Sequence, residues 1–147
     1  MTPPELPAPD LEGLLRDFAR DVDADGVTVW GAQAGCLVAL ANPFEARIVG
    51  LRQPLSSGLI SRCFHTGQAI LEENLPAHPG HDPTIDKLLG RRCAAMMAAP
   101  FDSADGGGVV SAVIYEGGRP GAGFNLAGLK QLGAFARNFA ACARGTA

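Results

Sequence analysis

No apolar run in the sequence approaches the roughly 20 residues that cross a bilayer. The opening MTPPELPAPD has neither a basic start nor an apolar export segment. Neither sign of charge is in excess: 12 Lys and Arg stand against 15 Asp and Glu, a net charge of −3. Such a balance supplies no basic footprint for a phosphate backbone or an anionic membrane surface. Cys-x-x-Cys spacing is missing, and Cys36, Cys63, Cys93 and Cys142 are scattered in the manner of reduced, mostly buried thiols. The expected compartment is the cytoplasm, with no nucleic acid and no membrane among the partners. Catalytic constellations are missing too. No Ser/His/Asp arrangement can be argued, and Glu72 and Glu73 are neighbours on an expected strand, so they point to opposite sides. Gly106, Gly107 and Gly108 lead from strand to strand, without the Lys-Ser/Thr pair and helix N-terminus of a phosphate loop.

What is present is a chain of 147 residues, 47% hydrophobic and 18% charged, the size and composition of one globular domain. Residues 1–9 hold four prolines and read as a flexible arm, leaving residues 10–147 as a single domain. Leu11, Leu14, Leu15, Phe18 and Val22 form one stripe of an amphipathic helix, with Asp10 available to cap it. VTVWGAQ and CLVALAN, around the Ala34-Gly35 turn, predict a β-hairpin. After the Asn42-Pro43 turn signal, ARIVGLRQ predicts a third strand of an antiparallel meander. Leu59, Ile60, Cys63 and Phe64 mark a short helix, with a serine before it as cap and Gly67 as its stop. AILEEN predicts a short strand, PAHPGHDP a loop, and TIDKLLG one or two helical turns. CAAMMAAPF and VVSAVIYEG predict two strands around a Gly-rich turn. Asn125 caps a last helix whose apolar stripe includes Leu126, Leu129, Leu132, Phe135, Ala136 and Phe139, with Phe124 and Leu129 placed as a hydrophobic staple. This order of elements describes an α+β sheet flanked by helices.

The segment PLSSGLISRCFHTGQAILEEN, the MMAAPF–glycine turn–VVSAVIY hairpin and the helix FNLAGLKQLGAFARNFAACA occur in the order and spacing of a GAF domain, which the chain resembles from about Leu11 to Ala143. The resemblance implies a GAF/PAS-like antiparallel sheet of five to six strands. Its N- and C-terminal helices would lie on one face, with short helices and loops over a pocket on the other. It also implies a sensor module for a small molecule or a redox signal, one that often dimerises through its terminal helices. The Asn-Lys-Phe-Asp-Glu signature of the cyclic-nucleotide members is not found, and His65 after Cys63 only partly echoes a bilin attachment site. Where the free methionine sulfoxide reductases carry cysteines, this chain aligns Ile60 and Leu89, which argues against that enzyme.

His78, His81 and Asp82 cluster in the proline-rich loop, with His65 and Cys93 as outlying candidates. His-x-x-His lacks the i, i+4 register of a helical zinc site, and no second Cys/His pair is near, so no metal site is expected. The loop reads as solvated or as a pocket lid. The expected pocket residues are His78, His81, Asp82, Ile85, Met97 and Tyr115. Arg91 and Arg92 could hold an anion and would lower the pKa of the neighbouring Cys93, although a solvated pair is the simpler reading. Leu11, Leu14, Leu15, Phe18, Leu129, Leu132, Phe135 and Phe139 offer an apolar surface for a homodimer. The expected function is a small-molecule-sensing regulatory domain, with no catalytic residues and no firmly expected cofactor. It would act through dimerisation or a separate signalling protein. The alternatives are a ligand-free interaction domain and a thiol-based redox sensor using Cys63 or Cys93.

Overall fold

The computed structural model describes residues 8–56, 58–75, 84–102, 106–117 and 123–145. The elements are α1 (Ala8–Val22), β1 (Gly26–Gln33), β2 (Cys36–Ala41), a 3₁₀ turn (Ala46–Ile48), β3 (Arg52–Pro54), α2 (Leu59–Thr66), β4 (Ile70–Glu72), α3 (Thr84–Leu89), β5 (Cys93–Phe101), β6 (Gly108–Tyr115) and α4 (Leu126–Gly145). The strands form one antiparallel sheet in the order β3-β2-β1-β6-β5-β4.

Each face of the sheet builds its own core. On the outer face, Val27, Val29, Ala95, Met97, Val110, Ala112 and Ile114 pack against Leu15, Phe18 and Val22 of α1, Leu132 and Ala136 of α4, and Phe124 just before α4. The two helices meet where Phe18 stacks on Phe135, with ring centroids 4.8 Å apart. On the inner face, Trp30, Leu37, Ala39, Met96, Ala98, Val109 and Tyr115 pack against Leu59, Ile60 and Cys63 of α2, Leu89 of α3, and Ile48 and Leu75. Burial on both faces explains why the alanine- and methionine-rich CAAMMAAPF forms a nine-residue strand despite its weak β propensity.

Local signals set several boundaries as expected. The Asn125 Oδ1 accepts the Gly128 amide at 2.8 Å, capping α4. Gly67, at φ 69°, ends α2 and donates its amide to the Cys63 carbonyl. Ala34 and Gly35, both at positive φ, close the β1–β2 hairpin.

Three local expectations are corrected. Helix α1 begins at Ala8, so Asp10 lies inside it rather than capping it. The N-cap of α2 is Gly58, at φ 91° and ψ 158°, a conformation a serine rarely adopts, and no side chain closes that turn. ARIVGLRQ is not one strand: its start curls into the 3₁₀ turn, and only Arg52 and Gln53 of it enter β3. Asn42 drives that departure. Its Oδ1 accepts the amides of Phe44 at 2.8 Å and Glu45 at 2.9 Å, bending the chain where a strand would run straight.

Candidate functional site

Between the inner face of the sheet and the α2 and α3 helices lies a cavity of about 50 Å³. Thr28 and Trp30 come from β1, Met96 from β5, and Ser111, Val113 and Tyr115 from β6. Ile48, Gln53, Leu59, Ile60 and Cys93 complete much of the wall, with Asn42 and Asp86 at its polar parts. The alternation of β1 and β6 places these residues: Thr28 pairs with Ser111, and both project inward while their neighbours feed the outer core.

The polar side chains are held before any ligand arrives. The Trp30 indole donates to Ser111 Oγ at 3.0 Å, and the Asn42 amide donates to Thr28 Oγ1 at 2.9 Å, all in buried surroundings. Asp86 reaches from α3 to the start of β5, where its Oδ2 accepts the Cys93 amide at 3.2 Å. Among the described residues, no buried side-chain nitrogen or oxygen lacks a hydrogen bond.

Burial governs the titratable groups. It pushes the Cys93 thiol far above its ordinary value, and the charge and hydrogen bond of Asp86 push the same way. Arg91 opposes the rise, as the sequence leads one to expect, but does not reverse it. Burial also moves Tyr115 up to about 12, while the Arg91 guanidinium stacks 4.1 Å from the centroid of its ring. Burial alone carries Cys63 up to about 12. Arg92 is turned to the surface, 3.8 Å from Glu116, so the two arginines do not form a joint anion site.

Of the expected pocket residues, Tyr115 lines the cavity. Met97 does not. Its side chain is fully buried in the outer core, and Met96 takes the inward place. A register shift between Cys93 and Ala95 sets this alternation, bringing both Cys93 and Met96 to the inner face. Ile85 lies in the first turn of α3, and its side chain falls outside the described set. His78, His81 and Asp82 lie outside the described residues. His65 is away from the cavity, its Nε2 2.9 Å from the Leu55 carbonyl oxygen. Of the expected dimer residues, Leu15, Phe18 and Leu132 are spent inside the subunit on the sheet. Leu11, Leu129, Phe135 and Phe139 are partly buried, and Leu14 is 46% exposed.

Sequence reading missed Thr28, Trp30, Asn42, Gln53, Asp86 and Ser111 as wall residues. Polar residues at alternate positions within otherwise apolar strands were the available signal for Thr28 and Ser111. Asp86 offered none, because its place depends on how α3 docks. A second concavity, an open groove of about 530 Å³, runs past Phe64, Gly67, Phe101, Gly133 and Arg137.

Solved structures resemble this architecture along nearly the whole chain. The GAF domain of a phosphoenolpyruvate-protein phosphotransferase from Coxiella burnetii superposes with a TM-score of 0.78 at 19% identity, covering 95% of this chain and 83% of that one. The chain has the GAF fold. A methyl-accepting chemotaxis protein shares that fold with a TM-score of 0.73 at 18% identity, covering 94% of this chain and 88% of its own. So does a type II free methionine-R-sulfoxide reductase from Thermoplasma acidophilum, at 0.70 and 13% identity over 94% of this chain and 92% of that one. No family model matches the sequence, and no curated protein does either. Among the described residues of this GAF fold, no helix is long and apolar enough to cross a membrane, and no three His, Cys, Asp or Glu side chains converge as metal ligands would.

Proposed function

We propose that this GAF-fold chain is a sensory or regulatory domain that binds a small molecule in its inner cavity and relays occupancy through α1 and α4 to a second copy or a separate signalling protein. The observation that carries the reading is the cavity itself. It is set between sheet and helices and rimmed by pre-oriented hydroxyl, amide and carboxylate groups, the usual arrangement of a ligand site. Relatives of the fold in a chemotaxis protein and a phosphotransferase support a signalling role.

The fold is shared with reductases, so the chemistry of this chain's thiols separates the two readings. A thiol nucleophile works as thiolate. Cys63 and Cys93 are both buried and shifted upward, and Ile60 and Leu89 occupy the positions aligned with the reductase cysteines. These residues favour a binding domain over a thiol enzyme. Leu14, with the half-buried Leu11, Leu129, Phe135 and Phe139, would supply the apolar contact between two copies.

Native mass spectrometry of gently purified protein tests the proposal, because one spectrum counts subunits and weighs retained molecules. A dimer with a discrete added mass is the expected result. A bare monomer, together with no stabilisation by any member of a small-metabolite panel, would overturn the sensor reading in favour of a closed interaction domain.

A further inference from the structure

The lining of the inner cavity speaks to the class of molecule it takes. Asp86 is the one charged side chain among the described residues that line it. The other polar groups, on Thr28, Asn42, Gln53, Ser111 and Tyr115, are neutral. Neither lysine, arginine nor histidine is part of that described wall, and Arg91 lies behind Tyr115, stacked on its ring. An anion entering this space would lose its hydration and meet a like charge, whereas a cation would meet a carboxylate and two aromatic rings.

We propose that the cavity takes a small cation, a primary ammonium or a group of guanidinium type, with the Asp86 carboxylate as counter-ion and the Trp30 and Tyr115 rings as walls. This rests on the small-molecule reading above and names its ligand class. The carboxylate is set in advance: Oδ2 accepts the Cys93 amide at 3.2 Å, and the Asp86 main-chain carbonyl accepts the Arg91 amide at 3.2 Å. A fixed counter-ion loses little freedom when the ligand binds. The volume of about 50 Å³ confines the occupant to a few heavy atoms. Nucleotides and other phosphorylated metabolites are excluded on both size and charge.

The test uses the full chain in sodium phosphate buffer free of amines. Trp30, the only tryptophan, reports cavity occupancy through its fluorescence. Three probes of similar size are titrated at equal ionic strength: methylammonium, acetamide and acetate. Methylammonium is expected to give a saturable change with a Kd on the order of 1 mM, near the limit for so few atoms. Acetamide should bind at least about tenfold more weakly, and acetate should give no saturable change. Asp86→Asn retains an oxygen able to accept the Cys93 amide. It is expected to weaken methylammonium roughly ten- to hundredfold while leaving acetamide unchanged. If acetamide or acetate binds the unaltered protein as tightly as methylammonium, the cation assignment fails and the small-molecule cavity stands. If none of the three gives a saturable change, both fail. The comparison of probes on the unaltered chain does not depend on the variant folding.

Discussion

Replacing Asn42 with alanine probes how the inner wall is held. The Asn42 side chain makes three hydrogen bonds: its Nδ2 donates to Thr28 Oγ1 at 2.9 Å, and its Oδ1 accepts the Phe44 and Glu45 amides at 2.8 and 2.9 Å. Each such bond contributes about 1 kcal/mol net, so the deletion should cost about 3 kcal/mol. For a chain of this length that corresponds to a fall in Tm of roughly 6–12 °C. Thr28→Val is the control. It removes only the bond to Thr28 and preserves the bent loop, so it should cost about 1–2 kcal/mol, chiefly for leaving the buried Asn42 amide without its acceptor. Urea unfolding followed by far-ultraviolet circular dichroism measures both, with an unchanged m-value marking an effect on stability alone. The reasoning is refuted if Asn42→Ala stays within about 0.5 kcal/mol of the parent. It is also refuted if Thr28→Val costs as much as Asn42→Ala, since the two loop amides would then contribute nothing.

Two glycines should respond in opposite directions. A Cβ at Gly108 would run into the Trp30 carbonyl and the Phe101 ring where β1, β6 and β5 come together, so Gly108→Ala should cost more than about 3 kcal/mol, read as lost soluble yield or a lower urea midpoint. Gly13 lies inside α1 with nothing within 4 Å of such a Cβ, so Gly13→Ala should stabilise by about 1 kcal/mol, measured in the same titration. The thiols give a pH signature. In the folded chain Cys63 and Tyr115 hold their protons to about 12, whereas after unfolding they release them near 9.0 and 10.0. The native state therefore binds more protons above pH 9, and stability should fall as pH rises from about 9 to 12. The slope should lessen in Cys63→Ala, and a pH-independent midpoint across that range would contradict the burial argument.

Much of the fold was legible because its signals are local. Asn125, Gly67 and the Ala34-Gly35 pair each act within a few residues of themselves, and the stripe on α4 repeats often enough to identify its buried side. The failed expectation at ARIVGLRQ was local too, but there two readings competed: β-branched composition favoured a strand, and the Asn42 side chain favoured a turn. The site was harder to read. Whether Met96 or Met97 faces the cavity turns on the register shift between Cys93 and Ala95, which no residue in that stretch announces. Asp86 becomes part of the wall only because α3 docks against the start of β5, a contact between segments that sequence periodicity does not describe.

The inner and outer cores share a partition one strand thick. Met96 faces the cavity and Met97, one peptide bond on, faces α4, where a Cβ built at Gly128 would lie 3.7 Å from the Met97 methyl carbon. A displacement of the β5 backbone by something seated against Met96 therefore carries Met97 along with it. The nearest part of α4 to receive that movement is a turn with no side chain of its own to cushion it. The path from cavity to terminal helix is thus a lever of two residues, and the bulk at position 128 sets how much play it has.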